Sequence, residues 1–180
     1  MDPPSFTVGL ITRGTIAILL LMGPWASAQD VTEPSLKAAF IYSFAKFTEW
    51  PADVPRTAEP FVMCVLGDAA VGDALERLVK GRVLAGHSMA VSHVGPAARQ
   101  NRCHVLYLSG VTASQAAQVV ARHRDVPVLT ISDVEGFTDV GGIAQFFFEQ
   151  GRLRFTIQVG SAKRAHLQIS SNLLALAKRK

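Results

Sequence analysis

The sequence predicts a single α/β domain: a mixed, mostly parallel sheet with a C-terminal antiparallel hairpin, flanked by helices. Three observations lead there. FVMCVLGD at 61–68, CHVLYLSG at 103–110 and VPVLTISD at 126–133 are short apolar runs that read as buried strands. Helical spacing lies between them, and alternating strand and helix favours parallel pairing through right-handed crossovers. The ending differs: IAQFFFEQ and RLRFTIQV flank Gln150-Gly151 and read as a β-hairpin. Antiparallel strands at the edge of a parallel sheet are common. A chain of 180 residues, 49% hydrophobic and 18% charged, is long enough to bury the core of one domain.

Residues 1–28 read as a secretory signal peptide. Arg13 precedes an apolar run from Thr15 to Met22, Gly23-Pro24-Trp25 breaks it, and Ala26-Ser27-Ala28 supplies small residues for cleavage after Ala28. The run is shorter than the roughly 20 residues a spanning helix needs. No cysteine follows it to carry a lipid. The expected product is an exported domain of residues 29–180.

Lys37 to Pro51, KAAFIYSFAKFTEWP, is the first element of that domain. Phe40, Phe44 and Phe47 fall at i, i+4 and i+7, one face of a helix, and Ala38, Ala39 and Ala45 favour it. Glu33-Pro34-Ser35 suits the start and Pro51 the stop. So much apolar surface has to be buried. The stripe is expected in the core. Trp50 leans to core as well, though a ring at the helix end before Pro51 can be half exposed, and any partner contact by this element would be made by Trp50 and its neighbours.

A polar connection at 52–59 leads to the strand at 61–68. Val71, Leu75, Leu78 and Val79 mark a helix ended by Gly81. A strand-like stretch from 82 to 94, broken by Gly86, is clearest at MAVSHV, and Gly95-Pro96 turns the chain. After the strand at 103–110, Thr112 can cap a helix carrying Ala116, Val119 and Val120. Beyond the hairpin, 161–178 reads as helical with a break near Ser170-Ser171.

The cysteines offer covalent chemistry. Cys64 and Cys103 each lie in or at the start of a predicted strand, and in an oxidising compartment such pairs persist as disulfides. The alternative is two buried thiols on strands that never meet, since spacing along the chain does not give the Cα separation a bridge needs. His87, His93, His104, His123 and His166 show no metal-ligand spacing, so neither metal nor cofactor is expected. Gly141-Gly142 lacks the lysine and helix of a phosphate loop, and no nucleophile sits in a recognised elbow, so no catalysis is expected. Asp133 ends the third apolar run, where α/β ligand sites form. The favoured reading gives it a humbler task, capping a short helical turn at 134–137.

Charge is uneven. Residues 152–180 carry seven basic residues (Arg152, Arg154, Lys163, Arg164, Lys178, Arg179, Lys180) and no acid, whereas 29–151 holds ten basic and thirteen acidic residues. Arg152 and Arg154 share one strand face. Arg152, Arg154, Lys163 and Arg164 are therefore candidate partner-binding residues together with Trp50. The plainer reading is a solvated face that complements a helix C-terminus. No nucleic-acid motif is present, so nucleic acid is not an expected partner.

Three segments, FIYSFAKFTEWP at 40–51, ISDVEGFTDVGGIAQFFFEQGRLRFTIQ at 131–158 and RAHLQISSNLLALAKR at 164–179, resemble the YfiR family. The resemblance spans nearly all of the chain after the first thirty residues. It implies a small periplasmic, non-enzymatic regulator that binds the periplasmic domain of a membrane diguanylate cyclase, or another sensor protein, and lowers cyclic di-GMP output. Release would follow capture by an outer-membrane partner, a lipoprotein being one candidate, and a homodimer is a further candidate assembly. The resemblance also favours the Cys64–Cys103 bridge, because the family's reference member has a pair at similar positions. That member has a second pair before the hairpin, but residues 138–150 here hold no cysteine. The competing expectation is a periplasmic small-ligand-binding module with a crevice at its strand ends. A concave pocket beside Asp133 and Arg154 would favour it; an exposed apolar patch around the aromatic helix would favour the regulator.

Overall fold

The apolar runs pair with one another in the computed structural model of the protein, which describes Met1, residues 32–95 and residues 102–179. The leader at 1–28, beyond Met1, and the turn residue Pro96 lie outside the described residues. The described domain belongs to one unit, Val31–Lys180. Its helices are α1 (Glu33–Lys46), α2 (Ala69–Val79), α3 (Ala113–His123), α4 (Val159–Arg164) and α5 (Ser171–Leu176). Its strands are β1 (Thr48–Glu49), β2 (Phe61–Leu66), β3 (Val83–Leu84), β4 (His87–Val94), β5 (Val105–Leu108), β6 (Leu129–Ser132), β7 (Ala144–Glu149), β8 (Arg152–Ile157) and β9 (Gln168–Ile169). Among the described residues no helix is long and apolar enough to cross a membrane.

Seven strands form one sheet in the order β3-β4-β2-β5-β6-β7-β8. The five from β4 to β7 run parallel, and β3 and β8 add antiparallel edges. The hairpin at Gln150-Gly151 forms as expected. The break at Gly86 is a second hairpin of the same kind. Ala85-Gly86 and Gln150-Gly151 each have positive φ at both positions, as a two-residue turn matched to strand twist requires.

Alternation along the strands builds two cores. Met63, Val65, Val105, Tyr107, Leu129 and Ile131 face α1 and α2 on one side. Cys64, Leu106 and Leu108 face α3 and Phe137 on the other. The sheet is thus covered on both faces, which is why its strands read as continuous apolar runs.

The elements read from the sequence differ from the structure at both ends of the domain. The first helix ends at Lys46, four residues before Trp50, and Phe47 is its C-cap. Residues 48–49 instead form β1, which pairs antiparallel with β9 in a separate two-stranded sheet. Phe44 is fully buried and Phe40 partly so, but Phe47 is 41% exposed, because it has left the helical face. The C-terminal helical region is α4, β9 and α5. Its break at Ser170-Ser171 is a helix start, since the Ser170 side chain accepts from Leu173 N–H.

Candidate functional site

Strand order reverses between β2 and β5: α2 carries the chain to β4 on one side, and α3 carries it from β5 to β6 on the other. A ligand crevice commonly opens at such a point. Here the backbone closes it. Gly67, at φ +93°, lies so near β5 that a Cβ on it would sit 1.9 Å from the Ser109 carbonyl oxygen. Ser109 N–H donates to the Leu66 carbonyl at 2.9 Å, and the Asp68 side chain caps α2 through Val71 N–H at 3.1 Å.

The polar cluster sits one strand further along, at the end of β6. One oxygen of Asp133, Oδ2, accepts from Lys37 Nζ at 2.7 Å, Tyr107 OH at 2.9 Å and Ser109 Oγ at 2.9 Å. Lys37 also pairs with Glu33 at 2.8 Å. The expected N-cap role of Asp133 fails, because residues 134–141 form turns with no helix to cap. Burial opposes the charge on Lys37, but the bonds to Asp133 and Glu33 outweigh it and raise the ammonium pKa above its ordinary value. Burial first, and then the Asp133 charge, raise the Tyr107 phenol as well, so it stays a donor. Lys37 was missed as a site residue, yet it had a signal. It stands three and seven positions before Phe40 and Phe44, on the face that had to be buried.

Beside this cluster lies a cleft of about 560 Å³. Glu33, Lys37, Asp133 and Glu135 form its ionisable rim, and Phe146 and Phe148 contribute apolar wall. Gln145 also lines it, with a buried Oε1 that has no hydrogen-bond partner. Arg154 does not line it. With three carboxylates to one ammonium, the cleft does not suit an anion.

The candidate partner residues do not converge on one place. Trp50 is half-buried: its Nε1 donates to the Pro127 carbonyl at 3.0 Å, and its ring meets Phe61 edge-on at 4.9 Å. Phe61 and Pro127 stand where β2 and β6 begin, so Trp50 lies at the opposite end of the sheet from Asp133. Arg152 and Arg154 are exposed on the edge strand, opposite Glu149 and Phe147. Lys178 reaches the same place, hydrogen-bonding Glu149 and lying 5.7 Å from the centre of the Phe147 ring. The Lys178 hydrogen bond first, and Lys178 and Arg154 by charge, hold Glu149 below its ordinary pKa. Three cations around one carboxylate leave this edge positive. Lys163 and Arg164 are exposed on α4, which follows the far end of β8, and Arg164 donates to Ser161 Oγ at 2.8 Å.

Cys64 and Cys103 are joined, with Cα atoms 5.6 Å apart. The strands do meet, since β2 and β5 are parallel neighbours. The bridge lies in the core beneath α3. Next to it, His104 stacks on Phe61 at 4.9 Å and accepts at Nδ1 from Val62 N–H at 2.9 Å. His104 and Cys103 line a second cleft of about 490 Å³, whose charged groups are Asp53, Arg56, Glu59 and Arg102.

A family model described as YfiR/HmsC-like matches residues 34–178. No curated protein matches the chain significantly.

Proposed function

The chain belongs to the YfiR/HmsC-like family, and on that premise we propose that it is a non-enzymatic periplasmic regulator of a membrane diguanylate cyclase. It binds the cyclase's periplasmic domain and lowers cyclic di-GMP output, and an outer-membrane partner relieves the repression by capturing it. The observation that carries this reading is the match over residues 34–178, which takes in α1, the whole sheet and α5. The disulfide suits an oxidising compartment. The Arg152, Arg154 and Lys178 edge supplies a positive surface that would steer an acidic partner. Exposed Phe47 gives the aromatic element an apolar tip near Trp50.

The domain boundary at residue 29 is part of the proposal, and mass spectrometry of the periplasmic fraction tests it. A mature N-terminus at Gln29 is expected; full-length protein in the cytoplasm would remove the basis for the regulator. The regulator itself is tested by deletion and by binding. Loss of the gene should raise cellular cyclic di-GMP. The double variant Arg152→Glu/Arg154→Glu should fold normally yet bind the cyclase's periplasmic domain at least about tenfold more weakly. Unchanged cyclic di-GMP on deletion would end the regulator reading. Unchanged binding by the variant would move the interface to Phe47, Trp50 and α4.

A second reading keeps one observation in its favour. The cleft beside Asp133, with the unpartnered Gln145 acceptor, fits a small ligand that presents a donor and carries no net negative charge. Arg154 lies outside it, so the basic edge and the cleft are separate features.

A further inference from the structure

Read along the chain, none of the histidines stands at metal-binding spacing. The fold nevertheless brings His93 to two carboxylates seventeen and twenty positions earlier. Asp73 and Glu76 are three apart on α2, hence on one face of the helix. His93 continues the row of Met89 and Val91 on the face of β4 that packs beneath α2, and emerges at its rim. One ligand atom from each of the three lies within 4.8 Å of the others. His93 Nε2 stands 3.7 Å from Asp73 Oδ1.

The imidazole is placed by a missing side chain. A Cβ on Gly72 would lie 2.3 Å from His93 Cε1 and 2.8 Å from Nδ1. The ring therefore rests on bare helix backbone, turned toward Asp73. In an eleven-residue helix glycine is a poor helix former, and alanine would be better. The space it leaves is filled by a potential ligand.

We propose that Asp73, Glu76 and His93 form a surface site for a divalent transition-metal ion of the zinc class. Two carboxylates supply charge, and the imidazole selects for zinc-class ions over magnesium or calcium, which prefer oxygen alone. Donors around a tetrahedral ion with bonds of about 2.1 Å stand roughly 3.4 Å apart. All three side chains are exposed, so they can close the remaining distance without moving the backbone. Three protein ligands leave a coordination position for water or for a side chain from another molecule. The ion would tie α2 to β4 through residues that take no part in the Asp133 cluster, and the site does not depend on the regulator reading.

The test is calorimetric titration of Zn²⁺ into the purified mature protein with millimolar Mg²⁺ present. One equivalent should bind. His93→Ala should weaken binding at least about tenfold. Gly72→Ala should also weaken it, by displacing the ring, while the melting temperature of the metal-free protein holds or rises. His87→Ala should bind as the parent does. No Zn²⁺ binding by the parent, or equal affinity in a folded His93→Ala protein, overturns the site.

Discussion

The Lys37 ammonium and the Asp133 carboxylate, 96 positions apart in the chain, meet at 2.7 Å over the end of the sheet. Lys37 is 93% buried, being 7% exposed, while the Asp133 side chain keeps 22% exposure. The pair pins the first turns of α1 to β5 and β6. Removing one partner leaves the other charge without this counter-charge, although Asp133 keeps Tyr107 and Ser109 as donors and Lys37 keeps Glu33. Asp133→Asn or Lys37→Met should each cost about 3 kcal/mol, the low end for a buried pair because Asp133 is partly wet. The double change should cost less than the two together, as urea unfolding of the three proteins would show. Strict additivity would mean that the contact contributes nothing.

His104 makes stability depend on pH in a stated direction. Burial lowers its pKa from the ordinary 6.5; Glu59 pulls the other way, and His87 adds to the lowering. Full protonation would also put a proton on the nitrogen that accepts from Val62 N–H. The unfolded chain therefore binds the proton first. This contribution is complete above pH 6.5 and is lost as pH falls from there through the folded value. Denaturant melts at pH 7.5 and 5.5 should show the decline, and His104→Gln should lessen it. An equal decline in the variant would assign it to other groups.

Reduction of the Cys64–Cys103 bridge opens a loop spanning 39 positions. The chain-entropy model puts the cost at about 4 kcal/mol, an upper figure. Non-reducing peptide mapping should recover the two cysteines in one linked peptide. Two thiols labelled freely in unfolded, unreduced protein would refute the linkage.

The aromatic residues around α1 should separate by position. Phe44 meets Phe146 and Phe155 edge-on at 5.6 and 4.9 Å, and Phe44→Ala should cost about 3–5 kcal/mol. Phe47 is exposed, so Phe47→Ala should stay within about 0.5 kcal/mol. Trp50→Ala loses the Phe61 contact and leaves the Pro127 carbonyl without its donor, a cost of about 2–3 kcal/mol. Trp50→Ala is thus a poor probe of partner binding, and Phe47→Ala the cleaner one. Thermal melts of the three variants would decide.

The parallel sheet, its flanking helices and the hairpin were legible because strand runs, helical spacing and turn residues are local signals. The bridge stayed an open alternative in the residues and was favoured only by the family resemblance, because strand assignment does not show that β2 and β5 are neighbours. What stayed hidden depends on distant contacts. β1 is two residues long, and only β9 makes it a strand. The helix stop at Lys46 is hidden because Pro51 carries the stop signal while Phe47, the real cap, is neither Pro nor Gly. Asp133 stands out in the sequence by its place at a strand end, but its partners Lys37, Tyr107 and Ser109 come from α1, β5 and the loop after β5. Asp73, Glu76 and His93 escaped for the same reason.

The rings that receive α1 have a bearing on how the chain reaches its native state. Phe40 packs on Phe146 and Phe155, both in the last hairpin of the sheet. Synthesis delivers α1, the first of the described elements, and then that hairpin roughly a hundred residues later. Through that interval α1 can pack on α2, but Phe40 and Phe44 lack the Phe146 and Phe155 rings that complete their pocket. Contacts so remote in sequence form slowly, and an uncovered aromatic face invites association with other unfinished chains. An element made early thus has its aromatic pocket closed late, which makes its Phe40–Phe44 face a stretch a holding chaperone would usefully grip.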